Sequence, residues 1–228
     1  MSGKQTQPPV AALLQRLHRE GWLGWTHLRI WMQLRDYFQR EGNVGGTAPT
    51  FFTATAAAHL DAAILHACRL VDDHKDAASV AYLLNVAEAV PKLFRFVPRE
   101  KISKAVKRDR DKLERLRKLA AGLRVRRDKL LAHLDRQTIK EPEAVQKLCE
   151  FKIKDLELLF ESLGEMVNRY EGFWSDGEVL WELIGWEDFR VLTLLAEEGV
   201  AARRARRRAL RNRPSTETAP ADRGDSLG

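Results

Sequence analysis

Apolar positions along the chain recur at the three- and four-residue spacing of helices, and the alternating runs bounded by hairpin turns that a sheet needs are missing. The pattern predicts one helix over Val10–Arg19 and a second over Trp25–Gln39, with the stretch "GNVGGTAPT" breaking the chain after it. A third helix is expected from Phe51 to about Asp73, with Leu60, Ile64, Ala67 and Val71 on one stripe. Ser79–Leu93 reads as a shorter fourth element, and Pro98 stands at a good first-turn position for a fifth. That fifth helix, from Arg99 to Leu134, would span ~54 Å if straight, at ~1.5 Å per residue. Its apolar stripe is Leu116, Leu119, Leu123, Leu130 and Leu134, and Gly122 is the position for a bend. A sixth helix over Glu143–Tyr170 repeats the pattern with Leu148, Phe151, Leu156, Leu159 and Leu163, and a last one starts near Asp176 or Gly177 and merges into an arginine-rich end. These elements predict an all-α fold, an antiparallel bundle of long helices in one domain over residues 1–200, followed by an arginine-rich helix end and disordered tail over 201–228.

Composition narrows the class. A hydrophobic content of 44% in 228 residues supports a real core. Charge interrupts every apolar run, so no segment is expected to cross a bilayer. Cys68 and Cys149 lie inside helical patterns without framework spacing, and residues 1–12 carry no secretory pattern, so a reducing cytoplasm is expected. The net charge is +7, but residues 201–228 carry eight arginines against Glu217, Asp222 and Asp225, or +5, leaving +2 for the rest. Arg203, Arg204, Arg206, Arg207 and Arg208 would attract the phosphates of RNA through counterion release, or simply form a solvated helix end.

The candidate chemistry lies in "RRDKLLAHLD", residues 126–135. With Leu123 as the centre of the stripe and about 100° per residue, Arg127 falls about 40° to one side, while Arg126 and His133 fall about 60° and 80° to the other. An arginine on an apolar seam needs a carboxylate, a phosphate or a partner subunit opposite it, because its charge cannot be shed. Asp128 and Asp135 offer carboxylates to the arginines or to the imidazole. The run "RDRDKLERLRKLAAGLRVRRDK" also suits a plain solvated helix face full of charge pairs.

"RDKLLAHLD" resembles the signature of HEPN domains, in which an Arg and a polar residue precede a His by four to six intervening residues. Arg127, Asp128 and His133 match it, with five residues between Arg and His. The stretch is most similar to the abortive-infection AbiU-type branch, where such a helix follows a segment like "RLVDDHKDAASVAYLL", here residues 69–84, and the resemblance covers residues 22 to about 190. It implies a metal-independent endoribonuclease of toxin or phage-defence type, in which two protomers bring Arg127 and His133 into one composite cleft and Asp128 orients them. The RNA 2′-hydroxyl then attacks the neighbouring phosphate. Helix phase favours Arg126 as the partner of His133, whereas the motif favours Arg127, and a break in the helix near the motif would favour Arg127. An antitoxin or nucleotidyltransferase is a further partner the resemblance implies. One subgroup has a modified Tyr two residues before the His, where this chain has Leu131.

Other sites are weaker. His59, His66 and Asp73 follow one another at seven-residue steps, with His74 beside the last, but two turns is too far for one ion and no HxxxH or ExxH pair occurs, so no metal site is expected. Phosphate-loop, nucleophile-elbow and dinucleotide motifs are missing, so no cofactor is expected. Trp22, Trp25, Trp31, Trp174, Trp181 and Trp186 gather near the two ends of the chain and are expected to pack terminal helices together or build a dimer face. Two functions remain: a homodimeric ribonuclease, and a HEPN-type bundle that only binds or scaffolds.

Overall fold

The computed structural model describes residues 10–38, 49–131, 139–177, 179, 181 and 187–211. The two helices expected at the start of the chain are one, α1, Val10–Phe38. Gly21 and Gly24, which separated them in the sequence pattern, are buried inside the helix. A side chain at Gly21 would meet the Trp181 ring, and a Cβ at Gly24 would lie 2.5 Å from the Phe160 ring and 2.8 Å from the His66 Cβ. Each glycine costs about 1 kcal/mol of helix propensity, which close packing of the aromatic rings offsets.

α2, Pro49–Leu70, runs antiparallel to α1: Glu20 meets His66, His27 meets His59 and Tyr37 meets Phe52. Its stripe is as expected, with Ile64, Ala67 and Val71 fully buried and Leu60 packed against the same core. The helix stops before Asp72 rather than at Asp73. Ser79 then caps α3, Val80–Ala89, its hydroxyl accepting from the Tyr82 amide, and Pro91–Leu93 closes as a 3₁₀ turn.

The expected long fifth helix is three pieces. α4, Arg99–Leu119, ends at Ala120, whose ψ of 0° turns the chain, and α5, Ala121–Arg126, comes next. Arg127–Leu131 then forms a π-helical turn. The break falls before Gly122, and the reason for glycine there is the Glu150 carbonyl, which abuts the position a Cβ would take. Because the axis changes at Ala120 and the pitch changes again at Arg127, the straight-helix stripe fails in part. Leu116, Ala120 and Leu123 are buried, whereas Leu119 and Leu130 are exposed; Leu134 lies outside the described residues.

The sixth predicted helix is likewise two. α6, Pro142–Leu148, packs on α5, and Cys149–Lys152, whose Glu150 carbonyl fills the space left by Gly122, separates it from α7, Ile153–Ser175. Leu148 is exposed, while Leu156, Leu159 and Leu163 are completely buried, each contributing about 2 kcal/mol of apolar transfer energy. α7 runs antiparallel to α1, pairing Phe160 with Trp25 and Glu171 with His18, and antiparallel to α4, pairing Glu165 with Lys112 and Arg169 with Asp109. Asp176 ends it in the left-handed conformation (φ 54°), so the last helix does not begin there; α8 is Glu187–Arg211. One continuous apolar core joins residues of α1, α2, α3, α4, α5 and α7. Trp181 reaches back to α1, its indole N–H donating to His18 Nδ1 at 3.0 Å, so this tryptophan does tie the two ends of the chain together.

Gly24→Ala forces its new methyl against the Phe160 ring and the His66 Cβ, and a loss of about 1–3 kcal/mol in urea unfolding is expected. A stability equal to the parent protein would show that the seam has room to yield.

Candidate active site

The motif is positioned by a clasp on the end of α2. The last carbonyls of a helix have no intrahelical donors, and the dipole makes that end negative. Arg117 Nε donates to the Val71 carbonyl at 3.1 Å, Arg124 Nη2 to the same oxygen at 2.9 Å, and Arg117 Nη2 to Asp72 O at 3.4 Å. Arg124 also pairs with the Asp73 carboxylate at 3.6 Å. The stretch 69–84 and the helix leading into the motif, about fifty residues apart in sequence, are therefore joined by guanidinium–carbonyl bonds.

Arg126 and Arg127 are each about 29% exposed, but they differ in partners. Arg126 Nη2 donates to Asp61 Oδ1 on α2 at 2.9 Å, and its Nε is buried without a hydrogen-bond partner. Arg127 Nε donates to Asp128, its own neighbour, at 2.7 Å, and Asp128 is exposed. That hydrogen bond raises the affinity of the Arg127 guanidinium for its proton still further. The charge of Arg127 also acts on Cys68 beneath it, although burial dominates and holds the thiol up at about 11; burial raises Cys149 as well. Neither thiol is a nucleophile at neutral pH.

Arg127 opens the π-helical turn, which shifts hydrogen bonding to the i→i+5 pattern, a local widening often found at functional positions. The constant 100° advance therefore does not apply beyond Arg126, and the phase favouring Arg126 over Arg127 disappears. Leu131, at the end of the turn, packs on the core. His133 and Asp135 lie outside the described residues. Arg203, Arg204, Arg206, Arg207 and Arg208 lie exposed on the final turns of α8.

His59 and His66, which the sequence pattern places two turns apart, meet His27 of α1 in a histidine cluster that the pattern did not reveal. His27 Nδ1 lies 2.8 Å from His59 Nδ1, and the His27 ring stacks on His66 with centroids 5.8 Å apart. His66 Nδ1 lies 2.6 Å from the buried Glu20 carboxylate, which also meets Arg16 at 2.7 Å and Arg69 at 3.4 Å. His27 and His59 sit thirty-two residues apart, so only the antiparallel pairing of the two helices reveals them. Burial lowers both, and for His27 the neighbouring His59 and His66 lower it further. Burial pushes the Glu20 carboxyl up, but the His66 hydrogen bond and the charges of His66, Arg16 and Arg69 outweigh it, and its proton affinity falls. Among the described residues no group of three or more potential ligands is placed to hold a metal ion, and no helix is long and apolar enough to cross a membrane.

The cluster gives a signed pH dependence. Above the ordinary histidine value of 6.5 both states of the chain hold His27 and His59 neutral; below it the unfolded chain takes up protons that the folded one refuses. Stability is thus expected to fall as pH drops below 6.5, and to fall further below 4.5 as the depressed Glu20 carboxyl is protonated. Urea midpoints measured from neutral pH down to about pH 3.5 check this, and His27→Gln with His59→Gln should flatten the upper part of the fall. A midpoint independent of pH would contradict the placement of the cluster.

A family model, HEPN_AbiU2, described as AbiU2, matches residues 11–188. No curated protein and no solved structure matches the chain significantly.

Proposed function

The chain belongs to the HEPN family, in its AbiU2 branch, and from that premise we propose that it is a metal-independent endoribonuclease acting in toxin or phage-defence biology. The observation that carries this reading is the different employment of the two adjacent arginines. Arg126 is spent on Asp61 of α2, whereas Arg127, at the start of the π turn, donates to the side chain of its sequence neighbour Asp128. A guanidinium held at Nε by a neighbouring carboxylate keeps its fork oriented toward whatever lies across the seam, and phosphate oxygens fit that fork. Arg127 is therefore the phosphate ligand, Asp128 its positioning residue, and Arg126 a brace between α5 and α2.

The chemistry rests on His133, whose ordinary proton affinity lies in the physiological range. One His133 takes the proton of the RNA 2′-hydroxyl; the freed oxygen bonds to the adjacent phosphorus, and the bond from phosphorus to the 5′-oxygen breaks. The second His133, from a partner protomer, donates a proton to that leaving oxygen. The products are a 2′,3′-cyclic phosphate and a 5′-hydroxyl, with Arg127 bracing the charge that builds on the non-bridging oxygens. A homodimer supplies both histidines, and the exposed arginines of α8 add affinity for the RNA backbone without reading its sequence. Because Leu131 has no hydroxyl and packs on the core, an antitoxin or nucleotidyltransferase partner would have to act elsewhere than on that side chain.

A second reading, a binding or scaffold protein without catalysis, draws on the clasp, since Arg117, Arg124 and Arg126 all serve to fasten α4 and α5 to α2. Variants separate the two. With chelator present, His133→Ala is expected to lose about 100- to 10,000-fold of the cleavage of total RNA, and Arg127→Ala about 100- to 1,000-fold. Arg126→Gln should keep cleavage within a few fold and lose about 1 kcal/mol of stability. Cleavage by His133→Ala at the parent rate would exclude the proposed chemistry, and RNA binding without cleavage by every protein would favour the scaffold.

A further inference from the structure

The basic excess of this chain has a second concentration. Residues 92–108 carry seven cations, Lys92, Arg95, Arg99, Lys101, Lys104, Lys107 and Arg108, against Glu100 alone. They surround the start of α4, the end farthest from the motif. Two open concavities flank it. One, of about 490 Å³, takes Lys92, Arg95 and Arg99 into its lining, and the other, of about 500 Å³, takes Lys101, Lys104, Arg108 and Arg169. No carboxylate lines either one.

Most of this charge is uncommitted. Arg108 and Arg169 share the buried Asp109, at 3.2 and 2.7 Å. Lys101 rests over the Phe173 ring at 5.8 Å. Among the described residues, Lys92, Arg95, Arg99, Lys101 and Lys104 form no ion pair or hydrogen bond, and all are exposed. Like charges so close together repel and destabilise the fold, unless an external anion compensates them. From Arg99 to Arg108 the helix advances ~13 Å, longer than a single phosphate and suited to a row of them.

An aromatic side chain stands between the concavities. In the stretch Phe94–Val97, Phe94 is buried under Tyr170, while the next-but-one residue, Phe96, is 56% exposed. Phe94, Arg95 and Val97 line the first concavity, and the Phe96 amide donates to the carbonyl of Phe173, which lines the second. An exposed ring on an anchored backbone, next in sequence to unpaired cations, is the combination that binds single strands, with phosphates on the cations and a base on the ring.

We infer that the start of α4 is a binding surface for single-stranded RNA, with Arg95, Arg99, Lys101 and Lys104 holding backbone phosphates and Phe96 stacking on a base. The choice of RNA rests on the ribonuclease reading; the cations and the ring do not. The surface lies roughly the length of α4, ~30 Å, from Arg127, so it holds a strand at a distance from the reacting phosphate.

Binding to the full-length His133→Ala protein tests this without cleavage of the probe, a fluorescent single-stranded RNA long enough to span α4. In that background Arg95→Gln, Arg99→Gln, Lys101→Gln and Lys104→Gln together are expected to lower the slope of log affinity against log salt by about 3, at about 0.7 for each phosphate no longer neutralised. Phe96→Ala, a change at an exposed side chain, is expected to weaken binding about 5- to 100-fold with the slope unchanged. The arginines of α8 are present throughout and cancel in the comparison. An unchanged salt slope in the quadruple variant overturns the inference. So does undiminished binding by Phe96→Ala, which would reduce the region to a patch for any polyanion, heparin or anionic vesicles included. Because binding is read without catalysis, loss of the surface and failure of the ribonuclease reading give separate results.

Discussion

The bond from Arg124 to the Val71 carbonyl, reinforced by Arg117 on the same oxygen, is the constraint on which the rest of the motif region depends. Two charge-assisted donors satisfy a helix end that would otherwise need water, and they do so from residues seven apart, on opposite sides of the turn at Ala120. The turn lets both arginines reach one oxygen while Leu116, Ala120 and Leu123 stay in the core. With α5 fixed in this way, Arg126 meets Asp61 on α2, and Arg127 is left to open the π turn. That two adjacent arginines take different partners thus derives from backbone geometry, not from residue type.

The opposite face of α2 is held by different chemistry. Glu20 collects His66, Arg16 and Arg69, and the His27–His59 pair lies about two helical turns further along the same seam. Buried glycines bring α1 close to its neighbours: Gly21 to Trp181, and Gly24 to Phe160 and His66. Small residues where backbones approach, and polar groups satisfied in pairs, give this seam a fixed register.

The fold class was legible because helical periodicity persists through tertiary packing, as Ile64 and Ala67 on α2 and Val71 just past its end demonstrate. Helix boundaries were less so. Gly21 and Gly24 fall between the two helices the pattern predicts, because the rings that fill their missing side chains belong to the distant Trp181 and Phe160. Gly122 marked the neighbourhood of the bend, but the break itself falls at Ala120, among alanines, the strongest helix formers. A π turn such as that at Arg127 adds no distinctive residue, so a constant angle per residue does not hold within it. The arginine and its aspartate were legible from the motif; the employment of Arg126 by Asp61 was not, since the partners lie sixty-five residues apart. The cations of residues 92–108 escaped notice because a net charge taken over two hundred residues averages them against acids elsewhere.

In the proposed reaction RNA is cut by its own 2′-hydroxyl, with side chains alone moving the protons. The most direct measurement is of the ends left on a defined RNA after digestion by the purified protein in chelator. The account predicts a 2′,3′-cyclic phosphate on the upstream fragment and a 5′-hydroxyl on the downstream one, and no cut where a 2′-deoxynucleotide replaces the attacking residue. Fragments bearing 5′-phosphates and 3′-hydroxyls, or cleavage on the 3′ side of a 2′-deoxynucleotide, would contradict it.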